Sequence, residues 1–238
     1  MISPNRLQIS KNWWIQFPYH LRLITKIRFY AAFGAGGVIY LTSLIFNNLG
    51  LSATDIGLGF TISAIVGTVT RLYTGNYLNK TGKIQFPIVS SSILSIAASL
   101  CLIFSKDTFL YIIGQSFVGA AAGIYWPAAE FGVSCFCYPI DTRKAYALVR
   151  SSEALGIFLG VFFGGFMINF LYSKSIFLND IFCMLMITYL ISKNNCSIVR
   201  GIFISSNLIF IFSAAFEPVL KNKPQKPKKI IKKFFTCD

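Results

Sequence analysis

Apolar residues run along this chain in long blocks, parted by short polar connections that are mostly basic. Charge-free runs cover Phe29–Phe46, Ile84–Ser105, Thr108–Ala129 and Ala154–Ser173. Each approaches or exceeds the ~20 residues that a membrane-crossing helix needs. Ile56–Thr70 is shorter and reaches Tyr73 once Arg71 extends its charge to the interface. A sixth block, Ile176–Ser192, is interrupted by Asn179 and Asp180, which leaves only Ile181–Ser192 free of charge. A seventh apolar run, Gly201–Phe216, is broken by Ser205, Ser206 and Asn207. The pattern predicts an all-α integral membrane protein with a six-helix bundle over residues 29–192. A basic tail (1–28) precedes the bundle, and an apolar segment (193–220) and a polybasic tail (221–238) follow it. The seventh run is expected to lie along the interface or to pack without crossing.

Composition agrees with a bilayer environment. Hydrophobic residues make up 55% of the chain and charged residues only 13%, about half of what a soluble domain carries. The net charge of +14 could point to nucleic acid, but the cations are scattered between apolar runs, and orientation explains them better. Cytoplasmic loops retain Lys and Arg. The first 28 residues hold Arg6, Lys11, Arg22, Lys26 and Arg28. The stretch 71–84 holds Arg71, Lys80 and Lys83, and 136–150 holds Arg143, Lys144 and Arg150. The alternate connections hold only Lys106 and Lys174, which makes 11 basic residues against 2. The expected topology is a multi-pass protein of the cell membrane with a cytoplasmic N-terminus. With no uninterrupted apolar core before Phe29, the first residues read as a tail rather than a signal peptide. Trp13, Trp14, Phe17 and Tyr19 are placed on the headgroups. KNKPQKPKKIIKK (221–233) contains seven lysines, suited to fixing topology and to meeting anionic lipid.

Little in the sequence can do covalent chemistry. The six cysteines include one close pair, Cys135 and Cys137, and the single histidine, His20, is far from it. That spacing does not make a zinc site. No catalytic constellation, nucleotide-binding loop, metal site or cofactor site is evident, so the expectation is a protein that is not an enzyme. One internal similarity does stand out. GAGGVIY (34–40) in the first span matches GAAAGIY (119–125) in the fourth at four of seven positions. First and fourth spans are the equivalent helices of a three-plus-three inverted repeat.

Three motifs on this framework, the second in two stretches, resemble those of the major facilitator superfamily of secondary transporters. GNYLNKTGK (75–83) follows the glycine-led loop between the second and third helices, with Gly75, Lys80, Gly82 and Lys83 on the family spacing and Asn79 at its acidic position. GQSFVGAAAGIYWPAAE (114–130) resembles the fourth helix, with Gln115 where an arginine is usual, and DTRKAYAL (141–148) resembles the loop that leads into the fifth. GIFLGVFFGG (156–165) has the glycine spacing of the fifth-helix motif of drug–proton antiporters, with Val161 in place of its proline.

The resemblance implies the N-terminal six-helix half of a major facilitator fold, moving a small solute across the bilayer by alternating access. A second six-helix half or a second copy of the chain would complete it. Gly75, Asn79, Lys80, Gly82 and Lys83 would form the gate loop. Tyr40, Gln115, Tyr125 and Trp126 on the first and fourth spans would line the solute cavity. Arg71, Glu130, Arg143, Arg150 and Glu153 are expected to gather as a cytoplasmic-side charge cluster. Gly156, Gly160, Gly164 and Gly165 are expected to share one face and admit a neighbouring helix. The alternative is a non-transporting membrane interaction subunit, or a degraded remnant of a transporter, since Asn79, Gln115 and Val161 each depart from a motif.

Overall fold

Leu21, Ile24, Ile27 and Ala31 recur at helical spacing and are all buried. This stripe lies partly inside the basic stretch before the first apolar run. The first helix accordingly begins ten residues before Phe29, at Tyr19. The computed structural model describes residues 13–170 and 174–193. It contains α1 (Tyr19–Asn48), α2 (Ala53–Thr81), α3 (Gln85–Phe104), α4 (Thr108–Phe136), α5 (Thr142–Phe170) and α6 (Ser175–Lys193). All six are long and apolar enough to cross a membrane. The seventh apolar run and the polybasic tail lie outside the described residues.

Several helices outrun their charge-free cores, because a charged residue can ride on a helix whose other face is buried. Within the proposed basic tail, Arg22 and Lys26 sit four residues apart on α1, beside the buried Leu21, Ile24 and Thr25. In the 141–150 connection, Ala145, Val149 and Glu153 follow at intervals of four and are all buried, so α5 starts at Thr142. The start of α2 has a local signal. The Ser52 side chain accepts a hydrogen bond from the Asp55 backbone N–H at 3.1 Å, and Asp55 lies in the first turn, an arrangement that satisfies one orphan donor of the helix.

The order of neighbours is α2–α4–α3–α6–α1–α5. Exchanging α1, α2 and α3 with α4, α5 and α6 turns this order into its own reverse, as a three-plus-three repeat requires. The two tightest pairings, α1 with α5 and α2 with α4, are equivalent under that exchange. Both depend on glycines. A side chain at Gly36 would lie 3.0 Å from the Ile157 carbonyl oxygen, and one at Gly156 would lie 2.7 Å from that of Phe29. A side chain at Gly67 would lie 3.0 Å from the Gly119 carbonyl oxygen. The GAGGVIY and GAAAGIY segments, however, do not occupy equivalent faces. A side chain at Gly34 would meet Asp180 and Cys183 of α6, whereas one at Gly119 would run into the Ser63 backbone of α2. The symmetry lies in the packing order rather than in that sequence match.

α2 and α5 stand at the two ends of this order. Only 17% and 22% of their spans are buried, against 44–50% for the other four. On α5 the exposed face carries Leu155, Phe158, Phe162, Phe166 and Phe170; on α2 it carries Leu58, Ile65, Val69 and Leu72. α6 joins the interior through its charged position. Asp180 is buried and accepts hydrogen bonds from Ser95 (3.0 Å) and Ser99 (2.7 Å), one turn apart on α3.

Candidate functional site

The residues of GNYLNKTGK are mostly helical. Gly75–Thr81 form the last turns of α2, with Thr74 and Leu78 buried four residues apart. The helix stops at Gly82, whose φ of 65° and backbone N–H to the Leu78 carbonyl close a left-handed cap that glycine adopts without strain. Asn79, Lys80 and Lys83 are exposed, and a side chain at Gly75 would meet nothing within 4 Å. The expected loop is thus a helix end with a one-glycine stop.

Four charged residues at this end of the bundle, Arg28, Glu130, Arg150 and Glu153, converge on one group. Arg28 of α1 is fully buried. Its Nη2 donates to Glu130 Oε1 of α4 at 2.7 Å and to Glu153 Oε2 of α5 at 3.0 Å, and its Nε donates to Glu153 Oε2 at 3.1 Å. Arg150 completes the square, with Nη2 to Glu130 at 2.8 Å and Nη1 to Glu153 at 3.1 Å. The Arg28 guanidinium also lies 4.2 Å from the centre of the Trp126 ring, a favourable cation–π geometry. Two positive and two negative charges cancel inside the group. Charge-assisted bonds of this length are strong, and here they tie three helices together. Flanking bonds reinforce the tie: Ser152 donates to the Thr25 carbonyl at 3.1 Å, and the Tyr146 hydroxyl donates to the Glu130 carbonyl at 3.2 Å. Arg28 Nη1 and the Tyr125 hydroxyl are buried without a partner among the described residues.

Glu130, Arg150 and Glu153 therefore meet, whereas Arg71 and Arg143 do not join them. Arg71 is exposed on α2, and Arg143 pairs with Asp141 at 3.6 Å, with both side chains open to solvent. Arg28 is the member missed. In the sequence it counts among the cations of the basic tail, but its spacing from Leu21 and Ile24 puts it on the buried stripe. That spacing was the available signal.

The expected cavity residues separate. Trp126 is half-buried against Arg28, and Tyr125 is buried beside it, their rings 5.9 Å apart. Gln115 is buried toward α2, with its Cγ 3.2 Å from where a side chain at Gly59 would lie. Tyr40 is exposed, about 18 Å along α1 from Arg28 at 1.5 Å per residue. Of the four glycines on α5, Gly156 and Gly160 face the α1 backbone, and Gly164 faces Leu41 and Ile176. Gly165 opens on nothing within 4 Å and does not share that face. At the opposite end of the bundle, Lys174 donates to the Ile103 carbonyl at 2.9 Å and to that of Ser105, closing the C-terminal end of α3. Burial first, and Lys106 second, hold its ammonium below the usual lysine range.

Six membrane-crossing helices in a self-reversing order, three of them tied by one neutral ion group, define a multi-pass bundle with inverted-repeat architecture. The family model described as Major Facilitator Superfamily matches residues 27–226, and the chain belongs to that superfamily. A solved structure described as an "auto inhibited POT family peptide transporter" superposes with a TM-score of 0.56 at 19% identity, covering 73% of this chain. The match takes in 36% of that chain, and at this identity it speaks for the fold alone. Comparison with curated proteins gives no match.

Proposed function

We propose that the chain acts as one six-helix half of a secondary transporter, moving a small solute by alternating access with its N-terminus in the cytoplasm of the cell. The supporting observation is the pair of end helices. α2 and α5 leave broad apolar faces uncovered on either side of α1 and α4, and a second six-helix body would seat on both. In this reading two bundles rock about a solute held between them. Arg28, Glu130, Arg150 and Glu153 hold α1, α4 and α5 together at one end in one state. A contact contributes to switching only where its free energy differs between states, and a neutral group spanning three helices can be broken or made as a unit. Trp126, on the half-exposed side of this group, and Tyr40, on the open part of α1, are the proposed solute contacts.

Two measurements test this reading. Cysteines placed singly at Ser52, Lys80, Asp107 and Arg143 should react with an impermeant reagent from outside the cell at 52 and 107 only. Reaction at 80 and 143 instead would invert the topology. In liposomes, the cross-linked, verified monomer should carry none of a panel of labelled sugars, amino acids and organic anions. Any flux should require a second copy or a second six-helix chain. Gradient-driven flux through the monomer would sink the half-transporter reading.

A further inference from the structure

At the N-terminal end of α1, a cavity of about 210 Å³ opens between α1 and α6, lined by Trp14, Tyr19, Arg22, Leu23, Lys26, Leu190 and Lys193. Three of those seven residues are cations from two helices, and no acid is among them. This is the reverse of the ion group of Arg28, Glu130, Arg150 and Glu153, where two arginines face two glutamates. Like charges gathered with no counter-charge among the described lining residues repel one another, and Arg22 Nε is buried there without a partner among the described residues. The arrangement calls for an anion.

The surroundings say which kind. Leu178, Phe182, Leu185 and Tyr189 of α6 are each more than half exposed. Their spacing of four, three and four places them on one helix face. Lys193 continues that face by one further turn, with its Nζ 5.9 Å over the Tyr189 ring. The apolar track from 178 to 189 runs about 16 Å, close to the depth of one leaflet. An apolar track one leaflet deep that ends in a cationic, aromatic-edged cavity has the shape of a phospholipid. We infer that this cavity binds the phosphate headgroup of an anionic phospholipid, whose acyl chains lie along the exposed face of α6.

Arg22 and Lys26, one turn apart on α1, and Lys193 on α6 grip the phosphate from two sides. Trp14 and Tyr19 sit at headgroup depth, where amphipathic rings are favoured. The bound lipid bridges α1 and α6 at the end where the ion group already ties α1 to α4 and α5.

The test uses the full chain, purified in detergent and offered equal amounts of phosphatidylglycerol and phosphatidylcholine with matched chains. Native mass spectrometry reads what is retained. Phosphatidylglycerol should be kept in preference, and the triple variant R22Q/K26Q/K193Q should lower that preference at least about tenfold, given the contribution of each cation near the surface. The control R71Q/R143Q/K144Q removes the same charge elsewhere and should leave the preference unchanged. The single change Lys193→Gln, at an exposed helix end, should reduce it about fivefold and serves if the triple variant fails to fold. No preference in the native chain, or equal loss in the two triple variants, would overturn the site. Displacement of the lipid by inorganic phosphate at equal concentration would assign the cavity to a free anion and overturn the lipid proposal.

Discussion

Arg28→Met will destabilise the bundle by about 3–5 kcal/mol, the scale on which removal of one partner strands a buried charge. Glu153, with a side chain only 10% exposed, then keeps Arg150 alone, and Arg150 is 57% exposed. Arg150→Met should cost about 1 kcal/mol or less, because most of its charge is already in water. Denaturant unfolding in detergent, followed by far-UV circular dichroism, gives both values. The double change Arg28→Met with Glu153→Gln should recover part of the loss, since it removes the stranded charge along with its partner. Equal, small losses for Arg28 and Arg150 would show that the ion group does not hold the helices.

Gly160→Leu will force α5 away from α1. A side chain there runs into the carbonyl of Phe33, and backbone cannot move aside as a flexible side chain can. Overpacking typically costs about 1–3 kcal/mol and sometimes more, so the folded, monodisperse fraction on size-exclusion chromatography should fall sharply. Gly119→Leu should do comparable harm at the equivalent joint, where the obstacle is the Ser63 backbone of α2. Gly165→Leu meets open space and should be neutral or slightly favourable, because leucine is the better helix former by somewhat under 1 kcal/mol. Equal tolerance at 160 and 165 would sink this account of the α1–α5 joint.

The six spans and three of the four packing glycines on α5 could be read in the sequence, because each leaves a strong periodic or compositional trace; the inverted repeat could not, since the matched segments GAGGVIY and GAAAGIY face different neighbours. Helix ends could not. A charge-free run measures the part of a helix that faces lipid or core on all sides, whereas α1, α2 and α5 continue past it on one buried stripe. The same cause hid Arg28: a charge at the edge of an apolar run looks like an interface residue until its neighbours Leu21 and Ile24 are placed on a helix. Tyr40 and Tyr125 look equivalent in the matched segments, yet one is exposed and the other buried. Residue likeness does not fix rotation about a helix axis, and a slip of one position turns a side chain by about 100°. Trp126 and Glu130 lie one turn apart on α4, and that spacing could be read. That both would meet an arginine from α1 could not, since it depends on how separate helices cross.

Asp180 bears on the order in which the bundle is assembled. Its carboxylate has hydrogen-bond donors only from Ser95 and Ser99 among the bonds formed by the described residues, and both belong to a helix that ends at Phe104, 71 residues before α6 begins at Ser175. A free α6 entering lipid ahead of those partners would carry an acid worth up to about 3 kcal/mol against insertion at mid-helix, on a segment with only 12 uncharged residues beyond it before Lys193. Once α3 stands in place, the same acid finds two hydroxyls and the α1 surface at Gly34, which has no side chain to obstruct it. α6 is thus a poor membrane span by itself and a good one only as a late arrival, docked by the polar residue that weakens it.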